Sequence, residues 1–333
     1  MSDRGMKTAL RGLLDEAELS NDEDPYDGLR CSNTLEGTLR TIVELSGRDI
    51  RRRKLLLGSV FSAAAFAEPV LFALTVPPAQ STARTGGQRV GMAEVAVLTE
   101  QITNLTKLAD QYGSGRVREQ MVALLHHEAN RSLHGSYSAK TGRALLSAVA
   151  RATSTVGWMS GDVGRHALAQ RYHIQALDLA MRAGDRRHAA EVLQDVGRLT
   201  VRIGENTFAV QDKARNGRQA VALARAGLRV AQDTATPALA AKLHAVEARG
   251  FALLGDAREA RHAVVAAQRC HESVIPGDAA SVSYSKAELA LDLGRCFISI
   301  GEPVHALPLT TAGLRGCQSC QVHPQCLSPT DLA

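Results

Sequence analysis

GWMSGDVGRHALA, residues 157–169, contains the pattern that decides the fold: a small residue, a glycine seven residues later, and an alanine five residues after that glycine. The glycine-to-alanine turn recurs as GENTFA (204–209), GDAREA (255–260) and GEPVHA (301–306). Twelve residues before the four alanines lie Gly157, Gly197, Ala248 and Gly294. Small residues let two helix backbones approach closely, and a glycine permits a tight turn. The pattern predicts four helical hairpins.

Hairpins repeated with a period of about 34 residues or more are typical of tetratricopeptide arrays. The turn glycines here are 40, 51 and 46 residues apart, so some hairpins should be longer. TFAVQDKARNGRQ (207–219) is interpreted as an insertion, but AVALARAGLRVA (220–231) would serve equally well as a second helix. Which of the two packs in that hairpin stays open. Helical patterns at 92–111 and 117–132 predict a pair that caps the array.

The composition favours closely packed helices. The 333 residues are 45% apolar but only 4% aromatic, and the apolar residues are mostly small or aliphatic. We therefore expect an all-α fold, a TPR-like array of helical hairpins forming an α-solenoid. The six cysteines, at 31, 270, 296, 317, 320 and 326, are too few and too clustered for the disulfide framework of a secreted domain. This predicts a reducing compartment and a cytoplasmic protein.

Four regions are predicted along the chain. Residues 1–50 contain two helical patterns around an acidic loop, and residues 51–88 contain an apolar helix followed by the linker VPPAQSTARTGGQ (76–88). The repeat domain is expected at 89–315, and a cysteine-rich tail at 316–333.

RRRKLLLGSVFSAAAFAEP, residues 51–69, has the features of an export signal: basic residues, an apolar run and an Ala-x-Ala site. Fifty residues precede it, and a second apolar run follows it. A membrane span over 55–76 would include Glu68 and Pro69. We therefore interpret the stretch as a helix that packs between two parts of a soluble protein. Export or membrane attachment through 51–76 is the alternative.

The chain resembles a family of tetratricopeptide regulatory proteins of filamentous actinobacteria that influence sporulation and antibiotic production. The resemblance rests on GWMSGDVGRHALAQRYHIQALDLAMRAGD (157–185), RRRKLLLGSVFS (51–62), GRALLSAVA (142–150) and HAVEARGFALLGDAREA (244–260). It covers most of residues 51–315 and implies an N-terminal helix-turn-helix domain followed by a helical array. A function in the control of differentiation or secondary metabolism is implied in the same way.

The N-terminal region departs from that family where a DNA recognition helix should lie. LRGLLDEAELSN (10–21) and LEGTLRTIVELSGRDI (35–50) look like the first and last helices of the domain, but acidic and turn residues stand between them. Residues 1–50 contain six basic and eleven acidic residues, a net charge of −5. Phosphate repels such a segment, so the sequence argues against DNA binding through it.

A cluster of potential metal ligands lies at the C-terminus. CQSCQVHPQC (317–326) contains Cys317, Cys320, His323 and Cys326, and zinc prefers thiolate and imidazole ligands. The two residues between Cys320 and His323 would require a very tight loop around one ion. A tail with incidental cysteines is the simpler interpretation, and the zinc site is the alternative. No other cofactor is expected.

One register position suggests a binding surface. The residues directly after the small residues of the first helices are Trp158, Arg198, Arg249 and Arg295. In tetratricopeptide arrays this position faces the concave surface, so we expect a column of three arginines that holds an acidic or C-terminal carboxylate segment. A solvated face with local ion pairs is the alternative.

The function predicted from these features is that of a non-enzymatic regulatory protein acting through a protein-binding repeat domain. A protein or peptide partner is expected in the concave surface, and no membrane partner. A DNA-binding transcriptional regulator and an exported or membrane-attached protein are the alternatives. No catalytic arrangement can be argued from the spacing of Ser, His, Asp or Glu in the sequence.

Overall fold

The protein is built from helices. The structure is a computed structural model and describes residues 28–51, 61–75, 82–275 and 284–317, and nearly all of the regular structure in these ranges is helical. The helices in chain order are α1 (Leu35–Ile50), α2 (Ala67–Thr75), α3 (Met92–Tyr112), α4 (Ser114–Leu124), α5 (Ala139–Asp162), α6 (His166–Ala183), α7 (Arg186–Glu205), α8 (Val210–Ala231), α9 (Pro237–Leu254), α10 (Ala257–Glu272), α11 (Lys286–Ser299) and α12 (Pro303–Cys317). A 3-10 turn (Ala63–Phe66) leads into α2, and α4 continues through a π-helical turn (Leu125–Ala129) into a last turn (Asn130–Leu133).

Successive helices pack as pairs, which confirms the all-α prediction. The hairpins are α5–α6, α7–α8, α9–α10 and α11–α12, and α3–α4 forms the predicted capping pair. Gly164, Gly255 and Gly301 end the first helices of three hairpins with φ values of 79°, 75° and 77°. L-residues rarely adopt this left-handed conformation, so these three positions require glycine.

The prediction for the α7–α8 hairpin is wrong in two details. Gly204 is not a turn glycine but lies inside α7, where a Cβ atom would come within 2.7 Å of Leu253. Ala209 is exposed and precedes α8, which runs without interruption for 22 residues and so contains most of the predicted insertion. The close approach occurs instead where α8 crosses α9, because a Cβ on Gly217 would lie 2.8 Å from the Gly250 carbonyl.

The described part of the predicted linker is fixed to the array. Residues 82–90 lie against residues 134–139 and form two isolated β-bridges, Arg84 with Tyr137 and Arg89 with Ser136. The Thr82 hydroxyl donates a hydrogen bond to the Ala139 carbonyl at 2.7 Å. Backbone hydrogen bonding therefore gives this Gly- and Thr-rich stretch a defined position, which its composition did not predict.

Helix α1 belongs to the same apolar core as the repeats. Thr34 caps its N-terminus by accepting a hydrogen bond from the Gly37 amide, and Leu39, Ile42 and Leu45 are buried with residues of α4 to α8. The described part of residues 1–50 is therefore not separate from the repeat domain. The first predicted helix, at 10–21, lies outside the described residues.

The described part of the apolar stretch consists of the turn Ala63–Phe66 and the nine-residue helix α2. Phe66 is buried in the common core. Among the helices in the described ranges, none is long and apolar enough to span a membrane.

Candidate functional site: a concave cavity between the hairpins

The first helices of the four hairpins, α5, α7, α9 and α11, line one cavity of about 650 Å³. Helix α9 packs against both α7 and α11, and α7 packs against α5, so these helices form a continuous layer. One residue of α6, the connection between α7 and α8 and the first turn of α8 complete the wall. We call this space the concave cavity. Its volume lies within the range of about 300–1,000 Å³ found for ligand-binding sites.

All four residues of the predicted register position line the concave cavity: Trp158 from α5, Arg198 from α7, Arg249 from α9 and Arg295 from α11. They come together because each lies one residue beyond the small residue of its first helix, and the first helices stack side by side. Whether a partner binds there stays a prediction.

Arg249 is engaged by carboxylates of neighbouring helices, which at this position favours the alternative of local ion pairs. Its side chain is only 3% exposed. Its Nε and Nη2 atoms donate to the Glu205 carboxylate at 3.0 and 2.7 Å, and Nη1 donates to Asp292 at 2.7 Å. The Tyr284 hydroxyl donates to the other oxygen of Asp292 at 2.8 Å. Arg249 therefore fixes α9 to the end of α7 and to α11.

The other cations of the cavity differ in their partners. Arg202 is ion-paired with Asp162 at 3.1 Å and also donates to the Gly161 carbonyl. Arg198 and Lys213 make no ion pair or hydrogen bond with any residue that the structure describes. The acidic group that interacts with Arg198 electrostatically and also lines the cavity is Asp195.

The charges of the lining favour an anion. Five basic and three acidic side chains line the cavity, and one of the basic ones, Arg202, is neutralised by Asp162. Burial raises the pKa of Asp195, which favours its neutral form and makes the cavity still more attractive to an anion.

A neutral histidine lies deep in the cavity. His173 of α6 is 1% exposed, and its ring lies so close to Gly157 that a Cβ there would come within 3.0 Å of it. Burial, together with the charges of Arg198 and His188, lowers its pKa to about 3. Its Nδ1 atom has no hydrogen-bond partner. Since buried polar atoms are normally hydrogen-bonded, this nitrogen is a candidate ligand contact.

Apolar side chains stand at the mouth of the cavity. Phe208, in the α7–α8 connection, is fully exposed, and Val210 at the start of α8 is 80% exposed. Ile298 of α11, 44% exposed, also contributes to the lining. An aromatic side chain that contacts water on all sides loses the burial that normally stabilises it. Its position beside a cavity indicates a surface that a ligand can cover.

The sequence did not identify His173, Asp195, Lys213 or Phe208 as cavity residues. Phe208 and Lys213 lie in the stretch interpreted as an insertion, and an apolar residue inside an insertion was the available signal. His173 follows Tyr172 in the quoted block, but its burial depends on packing between α5 and α6.

Three of the four proposed zinc ligands lie outside the described residues. Cys317 ends α12, while Cys320, His323 and Cys326 lie outside the described residues. Within the described ranges, no group of three or more His, Cys, Asp or Glu side chains is arranged to hold a metal ion. Cys31, Cys270 and Cys296 are free thiols.

We expect the buried His173 to make the protein less stable as the pH is lowered from neutral. The pKa of His173 is about 3 in the folded protein and 6.5 for a histidine in the unfolded chain, so the unfolded chain binds more protons below neutral pH. Stability is therefore lost as the pH falls, by about 2 kcal/mol between about pH 7 and pH 5 from this group alone. Urea unfolding at the two pH values measures this loss. The variant His173→Gln should lose less between the two, whereas His262→Gln, at an exposed position, should behave like the wild type.

No protein-family model, curated protein or solved structure matches this chain. The residues of the concave cavity therefore carry the functional argument.

Proposed function

We propose that this chain is a non-enzymatic regulatory protein that binds a segment of a partner protein in the concave cavity of a TPR-like α-solenoid. One observation supports the proposal: the first helices of four successive hairpins contribute to a single cavity with unpaired cations inside and apolar side chains at its mouth. Extended concave surfaces of this origin are the binding surfaces of helical-repeat proteins. A cytoplasmic location is proposed from the cysteine pattern, and a function in the control of sporulation or secondary metabolism from the family resemblance.

Binding is favoured over catalysis by the state of the ionisable groups in the cavity. Glu205, Asp292 and Arg249 are fixed to one another. Burial shifts the pKa values of His173 and Asp195 in the directions that favour their neutral forms. A general acid–base catalyst works best with a pKa near the operating pH, and a pKa of about 3 makes His173 a poor base at neutral pH.

A cavity-filling variant tests the proposal. Ser299 lines the cavity and is exposed at the end of α11, so Ser299→Trp should place an indole inside without disturbing the core. We expect the immobilised variant to lose the protein that the wild-type chain captures from cells of the source organism. Val304→Trp is the matched control, because Val304 is 81% exposed on α12 and does not line the cavity. Equal recovery by wild type and Ser299→Trp would contradict binding in the cavity.

A further inference from the structure

We infer the chemistry of the bound segment, an inference that rests on the proposed function. The segment presents one carboxylate to Arg198 and Lys213, and beside it an apolar side chain that Phe208 covers. The contacts are assigned from the residues that line the cavity and that lack other partners.

Charge balance favours a single carboxylate. Arg198 and Lys213 have no ion pair or hydrogen bond among the described residues, whereas Arg202 and Arg249 are engaged. One carboxylate can accept hydrogen bonds from both cations, whereas a dianionic phosphate would bring a second negative charge close to Asp195, which lines the same cavity.

Arg198 is the stronger of the two carboxylate contacts. Both residues are half-buried; Arg198 lies on α7, in the middle of the layer of first helices, and Lys213 lies in the first turn of α8. A guanidinium donates two parallel hydrogen bonds to a carboxylate, and partial burial reduces screening by water. Lys213 adds a second positive charge without a fixed geometry.

Phe208 and Val210 specify the neighbouring apolar side chain. Both are among the most exposed apolar residues of the described chain, and both line the cavity. Trp158 and Leu199 lie on the wall of the same cavity. An apolar side chain bound between these residues would remove the Phe208 ring from water, which stabilises the complex by burial of apolar area.

His173 supplies a polar contact at the inner end of the cavity. Its neutral ring has one N–H and one acceptor nitrogen, and Nδ1 has no partner in the structure. The backbone of a bound segment contains both amide donors and carbonyl acceptors. Either one can satisfy this buried nitrogen.

Peptide selection on the full chain tests the inference. A random heptapeptide display library is selected on the immobilised protein after subtraction on Ser299→Trp, and the recovered peptides are synthesised for measurement of Kd. We expect Asp, Glu or the free C-terminal carboxylate within two residues of Leu, Ile, Phe, Val or Met. Replacing that Asp or Glu by its amide, or Arg198 by Gln, should each raise Kd about tenfold.

Phe208→Ala should raise Kd about tenfold as well, with the melting temperature unchanged because the side chain is fully exposed. Arg229→Gln and Val304→Ala are the matched controls on exposed positions outside the cavity and should leave Kd within about twofold. Once Arg198 is replaced, the peptide amide variant should raise Kd less than it does against the wild type, since only the contact with Lys213 is then left to lose.

Three outcomes would overturn the inference. The selection could recover no peptide above the Ser299→Trp background, the recovered peptides could lack the carboxylate or bind Arg198→Gln and Phe208→Ala as tightly as wild type, or phosphoserine could bind more tightly in place of the acidic residue. If peptides lack the carboxylate but still fail to bind Ser299→Trp, only the inferred chemistry is wrong. If Ser299→Trp binds every peptide as the wild type does, the proposed function fails with it.

Discussion

Replacement of Asp49 by asparagine is expected to lower the free energy of unfolding by about 3–5 kcal/mol. Asp49, at the end of α1, is 3% exposed on its side chain and accepts hydrogen bonds from three other elements. Its partners are Arg118 of α4, Arg165 just before α6, and the Tyr172 hydroxyl at 3.1 Å. Removing the negative charge leaves the Arg118 guanidinium buried without its counter-ion, since that side chain is only 6% exposed.

Urea unfolding of Asp49→Asn and of the control Glu36→Gln measures the effect. Glu36 is also ion-paired with an arginine, Arg84 at 3.0 Å, but its side chain is 67% exposed, so its replacement should cost less than about 1 kcal/mol. The double variant Asp49→Asn with Arg118→Met should recover much of the loss, because the uncompensated charge is then gone. A loss of less than about 1 kcal/mol in Asp49→Asn would show that this ion pair does not hold α1.

Asp49→Asn should also loosen the contact of α1 with the repeats locally. α1 and the segment before it also contact α6 through Thr38, which donates to Asp178, and through Gln175, which donates to the carbonyls of Gly28 and Arg30. Loss of the Asp49 contacts should therefore increase proteolysis within residues 28–51 before the repeats are cleaved.

The turn glycines show how far sequence periodicity reaches. Gly164, Gly255 and Gly301 were predictable because a left-handed turn requires glycine wherever it occurs. Gly204 occupies the same register but is used for contact with α9, and its sequence neighbours do not distinguish the two uses. Local pattern specifies that glycine is needed, whereas tertiary packing decides why.

The candidate site was predictable in position but not in chemistry. The register placed four residues on one surface, since stacking of the first helices follows from the repeat. It did not predict which arginines would be neutralised, because the partners of Arg249 lie 44 residues before it and 43 residues after it in sequence. Ion pairs between hairpins depend on side-chain geometry, which the period of the sequence repeat does not predict.

The position of α1 was not predictable for a similar reason. Its acidic surroundings and its distance from the repeats suggested a separate N-terminal region. Its contact with α6 joins Thr38 to Asp178, which are 140 residues apart in sequence. A buried polar pair of this kind leaves no local signal, because each residue alone is typical of an exposed helix surface.

Replacement of Arg249 by methionine is expected to destabilise the protein by about 3 kcal/mol, near the lower end for a broken buried ion pair. Methionine has a similar length and no charge, so the variant tests the cation more than the packing. Glu205 and Asp292 would then face each other without the guanidinium that now separates them. Their side chains are 22% and 20% exposed, so water from the cavity relieves part of the repulsion and limits the loss.

Melting temperature and urea unfolding of Arg249→Met measure this loss, with Arg258→Gln on the exposed face of α10 as the matched control. Arg249→Lys should recover only part of the stability, because one ammonium cannot donate to both carboxylates in the fixed geometry of a guanidinium. The triple variant with Glu205→Gln and Asp292→Asn should be more stable than Arg249→Met alone, since it removes the facing charges. Wild-type stability of Arg249→Met would contradict this expectation and would show that the contacts with Glu205 and Asp292 do not hold α9 to α7 and α11. A large loss of stability places Arg249 in the scaffold that holds Arg198 and the mouth of the concave cavity in position.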